Sequence, residues 1–229
     1  MTTKQHREIY NKNLLHPWGD LSELGNDESS SVIVKGKGIH IFDSDGNKMI
    51  DGPAGMWCMQ TGYGRKEIAD AVSKQILSLS YATSFTLIND KETELAKRIS
   101  EQTPGDLNRI YFTTGGSTAV DSALRLCQLA NNIKGASNKK QIITREKAYH
   151  GSTYLSASVT GKERDKTAMD IKRDGIHFLK APCHFYYPEF DNEDDFCDFL
   201  INELEEKIIE IGPENIICLL YTSPSPRDP

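Results

Sequence analysis

The chain has 229 residues, 38 % of them hydrophobic and 26 % charged, and a net charge of −6. That length holds one large domain or one and a half typical ones, with a sizeable core. No apolar run approaches the ~20 residues of a membrane span, and the acidic balance argues against nucleic acid or anionic membranes as partners.

The N-terminal stretch MTTKQHREIY lacks the apolar core of a secretory signal. The five cysteines (Cys58, Cys127, Cys183, Cys197 and Cys218) are odd in number and show no CxxC spacing. Free thiols in a reducing cytoplasm are the expected state. The adjacent Cys183 and His184 have no second pair to complete a metal site, so none is expected.

Residues 1–30 are polar and include the loop-like HPWGD at His16–Asp20. Val32–Val34 and Ile39–Phe42 are rich in β-formers, and Asp45-Gly46 is a hairpin signal; together they predict a small antiparallel element. The glycine-rich GPAGMWCMQTGYGR at 52–65 reads as an irregular loop holding Trp57 and Tyr63, as anchors to a core or as a pocket wall. Ile68, Val72, Ile76 and Leu79 recur at helical spacing, and a second helix is expected over Lys91–Gln102, stopped by Pro104-Gly105.

The most informative stretch runs from Tyr111 to Leu129, YFTTGGSTAVDSALRLCQL. Ile110–Thr113 are β-formers, Gly115-Gly116 break the run, and Val120, Leu124 and Cys127 then fall on one helix face. A strand, a glycine turn and a helix are predicted, with Ser117 and Thr118 in the first helical turn. A helix start presents free amides and the positive end of its dipole, which suits a phosphate. The other reading is an ordinary strand-to-helix turn with Ser117 as N-cap.

Beyond it, Gln141–Arg145 and Ile176–Leu179 read as short strands. The segment EKAYHGSTYLSASVTG between them is dense in small and hydroxyl residues. Phe196, Leu200, Leu204 and Ile208 mark a long acidic helix, and Asn215–Leu220 reads as a strand. Strands separated by helices predict a parallel α/β sheet, whose ligands sit at the carboxyl ends of strands. The glycine turn and the AYHG segment both fall at such ends, so one shared site is expected. Tyr221–Pro229 (YTSPSPRDP) has three prolines and no periodicity. Cys218–Asp228 matches one reading frame of a common transposon-end adapter, so the tail is read as an artefact; the alternative is a natural disordered tail.

Three segments in order, DGPAGMWCMQTGYGRKEIADA, YFTTGGSTAVDSALR and REKAYHGSTYLSASVTGK, resemble the N-terminal half of class III aminotransferases. These are pyridoxal-phosphate enzymes of the ω-amino acid and amine:pyruvate transaminase type, and the resemblance covers about Leu14 to Ile217. It implies a fold-type I α/β domain, incomplete, with a mostly parallel sheet and an N-terminal part of the small domain. Its divisions would be 1–60 for the N-terminal segment and small-domain part, 61–217 for the partial large domain, and 218–229 for a junction and tail.

By that resemblance Gly116 and Ser117 match the cofactor's phosphate cup, Tyr149 the aromatic stacked on the pyridine ring, and Trp57 and Tyr63 the substrate loop. His150 and Gly151 complete the AYHG motif; Gly151 would let the backbone pass the cofactor, and His150 would contact it or serve structure alone. The family commonly has glutamate where Thr118 stands. Its Schiff-base lysine, the aspartate at the pyridine nitrogen and the carboxylate-binding arginine belong to the C-terminal half. The expectation is a fragment of a cytoplasmic, homodimeric transaminase, inactive alone. An aminomutase or decarboxylating relative shares these motifs. The rivals from other classes are a nucleotide-binding module, which lacks GxGxxG and GxxxxGK[ST], and a non-catalytic interaction protein.

Overall fold

In a computed structural model of the chain, residues 1–15, 30–163, 166 and 170–221 are described. The loop expected at His16–Asp20 and, apart from Tyr221, the proline-rich tail lie outside them. The chain divides into two compact units, Met1–Arg98 and Ile99–Pro229.

The first unit opens with α1 (Thr3–Asn13), which the hydropathy pattern does not reveal. A capping box starts it: the Gln5 amide donates to Thr2 Oγ1 at 3.2 Å, and the Thr2 amide donates to Gln5 Oε1 at 2.8 Å. The expected antiparallel element has three strands, β1 (Ile33–Lys37), β2 (His40–Asp43) and β3 (Lys48–Ile50), in that order. Asp45-Gly46 sits in the β2–β3 turn, which Asp43 organises. Its carboxylate accepts the amides of Asp45 at 3.0 Å and Asn47 at 2.8 Å, and the Asn47 side chain at 2.8 Å. Those bonds, the Asn47 side chain's first, hold the Asp43 carboxyl below its ordinary range.

Residues 52–65 contain one turn of helix, α2 (Ala54–Trp57), and that turn is left-handed. The two right-handed helices expected next are α3 (Lys66–Ser78) and α4 (Asp90–Ser100), the latter ending ahead of Pro104.

In the second unit α5 (Gly116–Ile133) precedes β4 (Gln141–Arg145), α6 (Tyr154–Val159), β5 (Ile176–Leu179), α7 (Glu193–Ile211) and β6 (Ile216–Leu219). The sheet is parallel, in order β5-β4-β6. Ile142, Ile143 and Thr144 of the central strand are all buried, so both faces of β4 are covered. That is why QIITR shows no polar alternation. Leu124 of α5, Ile142 of β4 and Val159 of α6 form one core cluster, bordered by Val120, Leu155 and Ile217. Each such side chain contributes about 1.5–3 kcal/mol of transfer free energy. Tyr187, Phe196 and Leu200 form a second cluster with Phe190 and Phe199.

The α/β class and the parallel sheet match expectation, but the strand at Ile110–Thr113 does not form. Residues with β propensity make a strand only where a neighbouring backbone supplies partners. Among the described residues this stretch has no ladder, and Tyr111 is 68 % exposed. No helix among the described residues is long and apolar enough to cross a membrane.

Candidate functional site

Gly115, not Ser117, is the N-cap of α5; Ser117 is the second residue inside the helix. Ser117 therefore does not act as the cap. No side chain caps this helix and its first turn holds no acid. The Ala119 amide donates to the Gly115 carbonyl at 2.9 Å, and the Thr118 hydroxyl donates to the same carbonyl at 2.8 Å. The amides of Gly116, Ser117 and Thr118 therefore lead the helix at its positive end. A Cβ placed on Gly115 or Gly116 would meet nothing within 4 Å, so the space beside them is open.

The AYHG segment, which follows β4, is fastened to this helix start. Gly151 is buried with φ +135°, and a Cβ there would lie 2.5 Å from Ser156 Oγ and 2.6 Å from Ser117 Oγ. Only glycine allows that approach. The Ser152 amide donates to Ser117 Oγ at 3.0 Å. Ser117 thus keeps its own hydroxyl hydrogen to donate elsewhere. One turn further along α5, the Asp121 carboxylate accepts the amide of Ser156, in the first turn of α6, at 2.7 Å. Asp121 thus supplies a carboxylate that links the α5 start to the AYHG segment. Sequence reading missed Asp121; its signal was an acid in the second turn of α5, upstream of a hydroxyl-rich segment.

His150 is hydrogen-bonded to neighbouring residues of its own unit. Its Nε2 lies 3.2 Å from Thr144 Oγ1, and the Thr144 hydroxyl donates to the Val159 carbonyl at 3.1 Å. With that proton committed, the network assigns the hydrogen of the imidazole to Nε2, which donates to Thr144. The His150 amide donates to Thr160 Oγ1 at 3.0 Å. Burial lowers the imidazole pKa.

Tyr149 keeps 39 % of its surface exposed, and the Lys162 ammonium lies 5.4 Å from its ring centroid. Lys162 also lines an open groove of about 440 Å³ with Glu146, Lys147, Gly161, Glu163 and Phe178. Lys166 is buried, with its ammonium 2.7 Å from Glu163 and 4.6 Å from the Phe178 ring centroid.

Trp57 and Tyr63 belong to the first unit. Ala54, Gly55, Met56 and Trp57 all have φ between 49° and 69°, and Trp57 is 74 % exposed. Left-handed backbone costs about 1–2 kcal/mol for each residue that is not glycine. Tyr63 pairs with Gly38 through backbone bonds of 3.0 and 2.8 Å, and its ring packs on Gly36, where a Cβ would come within 2.5 Å of it. Its hydroxyl donates to Asp51 Oδ2 at 2.6 Å, which raises the phenol pKa.

The family model for class III aminotransferases matches residues 22–218. A putrescine–pyruvate aminotransferase of Pseudomonas aeruginosa is 34 % identical over 221 residues, covering 95 % of this chain and 48 % of that protein. The chain thus spans about half the length of the curated relatives it matches. The crystal structure of a thermostable (S)-enantioselective ω-transaminase from Thermomicrobium roseum matches with a TM-score of 0.90 and 30 % identity, over 96 % of this chain and 49 % of that one. The thermostable ω-transaminase PjTA-R6, in a tryptophan-to-glycine variant engineered for synthesis of bulky amines, matches at 0.89 and 29 %, over 93 % and 48 %.

Proteins of this family depend on pyridoxal phosphate. The second unit fits that group on its own geometry. Uncapped amides beside open space suit a phosphate, the Ser117 hydroxyl has a hydrogen to give, and Tyr149 offers an accessible aromatic ring.

Proposed function

The chain belongs to the class III aminotransferases, and from that premise we propose that it is the cofactor-seating half of a transaminase. The parent moves an amino group from an amine or ω-amino acid to a keto acid such as pyruvate. The observation that carries the reading is the joint between the α5 start and the AYHG segment, where Ser117 Oγ accepts the Ser152 amide at 3.0 Å. Pyridoxal phosphate supplies the electron sink for amino transfer. The Gly116, Ser117 and Thr118 amides and the Ser117 hydroxyl would hold its phosphate, and Tyr149 would face its ring. Gly151 and Asp121 hold these two motifs together, and His150 braces the loop from beneath.

Trp57 is the apolar wall that limits the size of the amine. The bulky-amine variant of PjTA-R6, made by removing a tryptophan, supports that role. The family's Schiff-base lysine belongs to the C-terminal half, so on this reading the 229-residue chain is inactive alone. The complete protein is a cytoplasmic homodimer.

Expression of the complete reading frame of the parent tests the activity. Amino transfer from a diamine or ω-amino acid to pyruvate is the expected result, and decarboxylation or amino migration without transfer would replace it by another chemistry of the same family. For the 229-residue chain, borohydride reduction in the presence of pyridoxal phosphate should label no single lysine stoichiometrically.

A further inference from the structure

The exposure of Trp57 leaves its direction to the backbone that carries it. That backbone is a left-handed turn in which three of four residues, Ala54, Met56 and Trp57, are not glycine. Such a turn reverts to ordinary conformations unless something overrides its preference. Asp51 is the residue placed to do so. Its Oδ2 accepts the Gly55 amide, inside the turn, at 2.8 Å, and its carbonyl accepts the Ala54 amide at 3.1 Å. The same Oδ2 accepts the Tyr63 hydroxyl at 2.6 Å. Tyr63 is fixed in turn by its ring on Gly36 and its bridge to Gly38, and a Cβ on Gly55 would lie 3.5 Å from the Tyr63 hydroxyl.

We propose that Asp51 and Tyr63 are positioning residues for Trp57: one carboxylate oxygen, shared between the phenol and the Gly55 amide, holds the left-handed turn that aims the tryptophan. This rests on the reading of Trp57 as the wall that sizes the amine. It assigns specificity to two residues that need not touch the substrate. The shared oxygen is the central point, because loss of either donor leaves the other bond less well oriented. Asparagine at position 51 keeps an acceptor oxygen, whereas alanine removes it.

The test uses the full 229-residue chain with Trp18→Phe, so that Trp57 is its only tryptophan. Two readouts are taken by NMR, exchange of the Gly55 amide and the indole resonance of Trp57. The β1–β2 ladder amides serve as the control for the fold. Asp51→Ala is expected to speed Gly55 exchange about 10- to 100-fold and to move the indole resonance. Tyr63→Phe, which keeps the ring on Gly36, should move both in the same direction by less, and Asp51→Asn should recover most of the protection. Unchanged Gly55 exchange or an unmoved indole in Asp51→Ala would overturn the proposal. So would Tyr63→Phe if it loosened the ladder amides as much as Gly55, which would mark a general structural role. The size-gate reading fails separately, through a Trp57→Gly enzyme whose amine preference is unaltered.

Discussion

Gly151→Ala is the sharpest perturbation of the cofactor seat. The new methyl would lie 2.5 Å from Ser156 Oγ, 2.6 Å from Ser117 Oγ and 2.8 Å from Ser117 Cα. Two of those three atoms belong to the first turn of α5, so relief requires that helix start to back away. The backbone at φ +135° adds its own strain for any residue with a Cβ. Overpacking and backbone strain together cost about 2–5 kcal/mol, a large share of the stability of an ordinary domain. Gly135→Ala separates the two effects, because Gly135 has φ +77° and open space around it. It should cost only about 1–2 kcal/mol. Urea unfolding of both variants, followed by far-UV circular dichroism, reads the difference. A Gly151→Ala cost no larger than that of Gly135→Ala would refute the close approach of the AYHG loop to α5.

Three further outcomes follow from the same geometry. Tyr149→Phe should keep most of the affinity for a pyridoxal phosphate analogue and Tyr149→Ala should lose about tenfold, as measured by calorimetry; equal losses would assign the role to the hydroxyl. Burial lowers the pKa of His150, and burial followed by the Lys207 charge lowers that of His177. With folded values below the unfolded ~6.5, their stabilisation is complete above about pH 6.5 and is lost as pH falls from there through the lower folded values, because the unfolded chain takes up protons first. Urea midpoints should therefore drop on acidification, and less steeply in a His150→Gln, His177→Gln chain; equal slopes would contradict the assignment. Burial pushes the Cys218 thiol up to about 11, so iodoacetamide at pH 8 should spare it in the native chain while modifying the exposed Cys58, Cys127, Cys183 and Cys197.

Periodicity alone located most of the fold. Helices α3, α4, α5 and α7 and strands β4, β5 and β6 lie within a few residues of their expected positions, because each has a clear apolar face or a run of β-formers. What escaped depended on partners or on single side chains. Ile110–Thr113 has strand propensity, but a strand is a property of two backbones and none among the described residues pairs with it. Helix α1 is written in a capping box instead of an apolar stripe. The left-handed sense of α2 has no sequence signal, since Ala54, Met56 and Trp57 are residue types that avoid it. At the site, only the AYHG segment follows a strand, β4, yet it does meet the glycine turn, through Gly151 and Ser152 against Ser117. The inward role of His150 needed the Thr144 and Val159 hydrogen bonds to become visible, and Asp121 needed its 2.7 Å bond to Ser156.

The most direct measurement is an amide NMR titration of the chain with pyridoxine 5′-phosphate, which carries the phosphate and ring but no aldehyde to react with lysines. The seat described for the cofactor requires the largest shifts at Gly116, Ser117, Thr118 and Ser152, and Ser117→Ala should weaken binding by about one to two orders of magnitude. Shifts spread over surface lysines, with the start of α5 unmoved and Ser117→Ala without effect, would contradict it.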